Sequence, residues 1–139
     1  MPTTLHINTL FRWCNDIPAM RHFYTDLLDM DETFFRDDDD HGWLSYDAGG
    51  VHLVFMRGSS PLPVATDWAA QPGYTGGTGE NASWLLTTPD EAAFKAIVDR
   101  LKKAEDVPVF SGDLDRSRQC IVQDPMGYTV EISTETPSE

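Results

Sequence analysis

Two side chains combine a reactive chemical type with a position that could turn them toward a substrate. Glu131 lies in DPMGYTVEI (Asp124–Ile132), and His52 lies in GGVHLVFM (Gly49–Met56). A carboxylate can bind a cation, ligate a metal or take a proton as a general base. A neutral imidazole can ligate or act as a base, and it can also serve as a hydrogen-bond donor to a ligand. Both residues stand in alternating runs that read as strands, where successive side chains point to opposite faces. If Val51, Leu53 and Phe55, like Tyr128, Val130 and Ile132, pack on a core, then His52, Val54 and Met56, like Thr129, Glu131 and Ser133, face away from it.

The other titratable residues carry weaker signals. His6 is three residues from Thr9, on the opposite strand face. His22 falls on a helix and His41 follows an acidic run, both readings that place them at the surface. The run Asp37–Asp40 cannot direct four consecutive carboxylates at one ion on an extended chain, and is expected to be a solvated loop. Gly73–Gly79 lacks the Lys-Ser/Thr ending of a phosphate loop. No Ser-His-Asp or Cys-His spacing is recognisable. Aromatic residues are the other clue. Phe11 and Trp13 share strand parity with Thr9; Trp43, Trp68 and Tyr74 are candidate walls or lids, and Trp84 is placed in the core. Aromatic walls with a few polar groups describe a small-molecule pocket.

These residues must be positioned by regular elements. Residues 5–14 read as a strand, and Asp16 caps a helix whose Ile17, Met20, Tyr24 and Leu27 form one apolar stripe. Strands follow near 32–36, 42–47 and 51–56. After a connection rich in Gly and Pro (58–80), the order repeats. A strand at 82–87 leads to a helix start at Thr88-Pro89-Asp90-Glu91, with Thr88 as cap. The helix stripe is Phe94, Ile97, Val98 and Leu101, and strands follow near 107–110, 118–123 and 128–133. Setting Asp16 on Asp90 aligns the helix stripes. Setting Asp47 on Asp124 brings Gly50 onto Gly127 and Leu53 onto Val130. Each half is strand–helix–strand–strand–strand, the mark of an internal duplication.

Composition narrows the partners. The 139 residues suit one domain, and 40% hydrophobic with 24% charged residues is a globular balance. A net charge of −13, from 23 acidic and 10 basic residues, argues against nucleic acid and anionic membranes and is compatible with a cationic ligand. No apolar run approaches a membrane span of about 18 residues. MPTTLHINTLFRW carries no signal-peptide pattern, and Cys14 and Cys120 read as small buried residues. A cytoplasmic location is the expectation.

The motifs FYTDLLDMDE (Phe23–Glu32), GWLSYDAGGVHLVFM (Gly42–Met56) and DPMGYTVEI, at these separations, resemble the vicinal oxygen chelate superfamily, the glyoxalase, bleomycin-resistance and extradiol-dioxygenase group. Asp29 departs from the glycine usual after the helix. The resemblance implies an α+β fold of two βαβββ modules, 1–57 and 81–139 joined by 58–80, forming a half-open barrel around a cup, and a homodimer. In metalloenzyme members a divalent ion is held from the first and last strands of the modules. The matching positions here are Thr9, Val54, Ser83 and Glu131, of which Glu131 alone is a convincing ligand, since such sites need about three from His, Glu, Asp or Cys.

The expectation is therefore a metal-free cup binding a small aromatic or cationic molecule, with Thr9, Phe11, Trp13, Val54, Met56, Ser83 and Thr129 lining it. Two alternatives stay open. One is a lyase or dioxygenase with a reduced or rearranged divalent-metal site using Glu131 and His52. The other is a cofactor-free lyase or isomerase with Glu131 as base.

Overall fold

Asp16 and Asp90 begin the two helices in the same way. Each has an extended backbone and accepts a hydrogen bond from the N–H three residues on: Ala19 to Asp16 at 2.9 Å and Ala93 to Asp90 at 2.8 Å. Such a cap supplies a partner for one of the amides that a helix leaves unpaired at its start. The second cap is thus Asp90, not the Thr88 expected from the Thr-Pro-Asp-Glu pattern. Thr88 is the last residue of the preceding strand, and its hydroxyl donates to the carbonyls of Asp90 (3.2 Å) and Ser133 (3.3 Å).

The computed structural model describes residues 5–62, 84–104, 109–110 and 119–134. The chain divides into two units, Met1–Leu62 and Pro63–Glu139. The first unit runs β1 (Thr9–Trp13), α1 (Ile17–Arg21), a π-helical turn (His22–Leu27), β2 (Asp31–Asp37), β3 (Gly42–Asp47) and β4 (His52–Arg57). The second runs β5 (Trp84–Thr88), α2 (Glu91–Lys103), β6 (Val109–Phe110), β7 (Gln119–Gln123) and β8 (Thr129–Thr134). Their sheets have the same strand order, β1-β4-β3-β2 and β5-β8-β7-β6, with the first and last strands of each unit parallel. The fold is α+β and each unit is βαβββ, as the repeated element order predicts. Segment 63–83, which includes Ser83, Trp68 and Tyr74, lies outside the described residues, as does most of the expected connection.

In the first unit the helix stripe covers one sheet face. Ile17, Met20, Tyr24 and Leu27 are buried, together with Phe23 and Leu28, against Leu44, Tyr46, Leu53 and Phe55. The Tyr24 ring lies 4.7 Å from Phe55 and 5.9 Å from Tyr46, and Phe23 meets Tyr24 edge-on at 4.8 Å. Each such burial contributes about 1.5–3 kcal/mol. The α-helix expected to run through Leu27 widens instead into a π turn, where Leu28 N–H donates to Phe23 C=O at 3.1 Å. Beyond it Asp29 adopts φ 59°, a left-handed conformation that glycine enters without strain. Asp29 therefore stands where the chain geometry favours glycine.

A polar network closes the same face. Arg21 donates from Nε and Nη2 to both oxygens of Glu32 (2.8 and 3.0 Å), and its guanidinium lies 4.1 Å from the Phe35 ring centre. Thr25 donates to Glu32 at 2.8 Å, which leaves the buried Tyr46 hydroxyl, 2.7 Å away, to donate to Thr25. Arg21 holds the Glu32 carboxyl below its ordinary pKa, Thr25 adding to the effect against the opposing cost of burial. Burial raises the Tyr46 phenol above its own.

In the second unit Phe94, Ile97, Val98 and Leu101 of α2 are buried, as are Val130 and Ile132 of β8 and Cys120 and Val122 of β7. Trp84 pairs in register with Val130, on the core side where its alternation places it. The DPMG stretch forms a turn: Gly127 N–H donates to Asp124 C=O at 2.8 Å, with Gly127 at φ 81°. The buried Asp124 carboxylate accepts from Met126 (2.8 Å) and Tyr128 (3.1 Å) N–H groups. Its counterpart Asp47 accepts from Gly50 N–H at 3.0 Å, and Gly50 is also left-handed, at φ 94°. Both cysteines are free and buried.

Candidate functional site

The helices cover one face of each sheet, so the candidate residues are found by register on the other. In the first unit, β1 pairs with β4 as Thr9↔His52, Phe11↔Val54 and Trp13↔Met56. The β3 strand continues these rows as Asp47↔His52, Ser45↔Val54 and Trp43↔Met56, and β2 as Asp31↔Asp47, Phe34↔Ser45 and Arg36↔Trp43. Directly opposed residues share a face. The helix-free face of this sheet therefore carries three rows: polar (Thr9, His52, Asp47, Asp31), mixed (Phe11, Val54, Ser45, Phe34) and aromatic (Trp13, Met56, Trp43, Arg36).

This brings together every first-unit residue singled out in the sequence: Thr9, Phe11, Trp13, His52, Val54 and Met56. They are not equally accessible. Phe11 and Trp13 are 56% and 51% exposed, whereas Val54 is only 4% exposed. The cause is local. Phe11 and Trp43, on the strands either side of β4, meet edge-on at 6.1 Å. A molecule reaching this face would touch those rings rather than Val54.

Four residues escaped sequence reasoning. Phe34 is 51% exposed on this face, opposite Ser45, and the β2–β3 register shifts between it and Glu32, a bulge that reverses the parity of everything before it. Thr33 lies in that bulge and shares a 2.8 Å hydrogen bond with the Ser45 hydroxyl. Asp31 and Asp47 are recognisable only once the β2–β3 pairing is known: a register counted outward from the Asp37–Gly42 closing pair would set Glu32 opposite Asp47, and the bulge puts Asp31 there instead. The Asp37–Asp40 run sits at the opposite end of that hairpin and is exposed, with Asp37 bound to Arg57 (3.1 Å) and Asp38 to Arg36 (2.7 Å). His22, beside Asp26 at 3.1 Å, and His41 are exposed as expected.

In the second unit the helix-free face holds Leu85 and Thr87 of β5, Ile121 and Gln123 of β7, and Thr129, Glu131 and Ser133 of β8. Glu131 stands between Leu85, which is 61% exposed, and Ile121. Thr129 is on the same face but buried.

The donor set fits a divalent ion poorly. The positions that the resemblance implies offer two hydroxyls (Thr9 and Ser83, the latter outside the described residues), one hydrocarbon (Val54) and one carboxylate (Glu131). Among the described residues, no three His, Cys, Asp or Glu side chains are arranged to hold a metal. Glu131 and His52 lie in different units. Among the described residues, no helix is long and apolar enough to cross a membrane.

The comparisons with known proteins point one way. A family model described as glyoxalase/bleomycin resistance protein/dioxygenase superfamily matches residues 6–132. The chain is similar to a solved glyoxylase/bleomycin resistance protein/dioxygenase domain from Frankia sp. EAN1pec, with TM-score 0.65 and 14% identity, covering 94% of this chain and 97% of that one. It is also similar to the glyoxalase I of Leishmania major, described as trypanothione-dependent (TM-score 0.66, 20% identity, 95% and 88% covered). A third likeness is to FosX, a fosfomycin resistance protein from Mesorhizobium loti (TM-score 0.57, 14% identity, 98% and 94% covered). At these identities the likenesses show the fold. No curated protein sequence matches.

Proposed function

The chain belongs to the glyoxalase/bleomycin resistance protein/dioxygenase superfamily, and from that premise we propose that it is a metal-independent binder of small molecules with an aromatic part. Superfamily members bind small-molecule substrates, often use divalent metals and commonly form dimers. One observation carries the reading here: Phe11, Trp13, Phe34 and Trp43 are all more than a third exposed on the helix-free face of one four-stranded sheet. Contiguous exposed apolar surface is costly in water and marks a binding surface. Aromatic rings there offer large, rigid contact area and stack on planar groups.

The donor chemistry supports the metal-independent part. A catalytic ion takes about three protein ligands, and the superfamily positions supply one. Glu131, between Leu85 and Ile121 on the second sheet, is then a lone acid available to a ligand's donor group or cationic end. Thr9 and Met56 complete the proposed lining on the first sheet, with His52 as a hydrogen-bonding wall residue.

Metal analysis of protein purified without chelator, followed by thermal-shift titration with aromatic compounds, tests this. Substoichiometric metal and a rise in Tm with ligand support the reading. Stoichiometric Mn, Fe, Ni or Zn that is lost in Glu131→Gln would replace it with a metalloenzyme.

A further inference from the structure

Asp31 and Asp47 stand directly opposite each other on β2 and β3, and both are exposed. Like charges so placed repel and destabilise a sheet unless something positive lies between or over them. Among the described residues no Lys, Arg or His comes within ion-pair distance of either. Asp47 is also oriented: the Gly50 N–H fixes one carboxylate oxygen at 3.0 Å. Arg36 is the basic residue at the far end of the face, and its guanidinium is taken by Asp38 at 2.7 Å.

The third member of the row, His52, faces Asp47 at close range. Its N–H donates to Asn8 C=O at 2.8 Å, away from β3, so the Asp47–His52 pair has no backbone hydrogen bonds between its members. Side chains approach most closely across such pairs. These three groups do not converge as metal ligands do. They form a line, suited to the N–H groups of an organic ammonium. Four residues along β4, about 13 Å away, lies the aromatic row of Trp13, Met56 and Trp43, with Phe11 between the two.

We propose that the helix-free face of the β1–β4 sheet binds an aryl-alkyl ammonium, its ring on Phe11, Trp13 and Trp43 and its cationic end at Asp31 and Asp47. This rests on the small-molecule reading above and names its ligand class and orientation. The spacing asks for about 10–13 Å between ring and nitrogen. A shorter amine would reach one end only. An anion of the same shape would meet two carboxylates that have no counter-charge.

The test is calorimetric titration of the full chain with three probes of one shape: phenylhexylamine, phenylhexanoate and phenylhexanol. The expected result is that the amine binds at least about tenfold more tightly than the acid, the gain of one charge-assisted hydrogen bond. Asp31→Asn and Asp47→Asn, checked as folded by circular dichroism, then weaken the amine by about tenfold and leave the alcohol unchanged. Asn at 47 keeps an oxygen for the Gly50 N–H, so loss of the turn does not confuse the result. If the acid or alcohol binds as tightly as the amine, or both variants keep the preference, the ammonium assignment is overturned while the small-molecule reading stands. If none of the three binds, both fall. A second copy seated on this face, seen as a dimer that Trp13→Ala dissociates and that takes up no amine, overturns both as well.

Discussion

The Phe11 and Trp43 rings meet edge-on at 6.1 Å, one on each strand flanking β4, while Val54 on β4 itself is 4% exposed. The relationship separates residues that touch a ligand from one that supports them. Phe11→Ala and Trp43→Ala should each weaken an aromatic ligand by about tenfold, the scale of one lost aromatic pairing with its buried area. Val54→Ala should instead lower stability, by about 1–2 kcal/mol for a small core truncation. Denaturant melts and ligand titration on the three variants check this. Equal loss of affinity in all three would contradict the layering.

The helix caps offer a second check. Asp16→Ala and Asp90→Ala each remove the acceptor for an N-terminal amide and should each cost about 1 kcal/mol. Thr88→Ala, which removes only the longer bonds to Asp90 and Ser133, should cost less than Asp90→Ala. Urea midpoints at constant slope would read the order directly.

Asp29 pays a backbone penalty that glycine would avoid, because φ 59° crowds any Cβ. Asp29→Gly should raise the stability of the first unit by up to about 1 kcal/mol, while Asp29→Val should lower it. A lower Tm for the glycine variant would show that the Asp side chain does more there than tolerate the turn.

Acid sensitivity should trace to Glu32. Arg21, with help from Thr25, keeps this carboxyl below its ordinary pKa of 4.5. A group depressed in the folded state contributes stability above its unfolded pKa and loses it as pH falls through the folded value. Stability should therefore decline below about pH 4.5 more steeply in the native protein than in Glu32→Gln. Parallel curves for the two proteins would remove Glu32 from the account.

Much of this was legible in the sequence because the duplication reports the same physics twice. The stripes Ile17-Met20-Tyr24-Leu27 and Phe94-Ile97-Val98-Leu101 are buried as their periodicity requires. The alignment of Asp47 with Asp124 and Gly50 with Gly127 falls on two hydrogen-bonded aspartates, each followed by a glycine that the structure shows to be left-handed. Strand parity put Thr9, Phe11, Trp13, His52, Val54 and Met56 on one face. What parity could not supply is depth and register. Val54 is buried although its parity sets it on the helix-free face, and Phe34, Asp31 and Asp47 share that face through a bulge and a pairing that no single strand encodes. The cap moved from Thr88 to Asp90 because Thr88 continues β5. Local signals marked the elements, and cross-strand geometry decided which of their residues can meet a ligand.

Calorimetric titration of the full chain with phenylhexylamine, with and without excess EDTA, tests metal-independent binding most directly. Metal-independent binding on the Phe11–Trp13–Trp43 face predicts the same affinity in both solutions. Binding that disappears in EDTA and returns with Mn, Ni or Zn, or no binding in either solution, would contradict it.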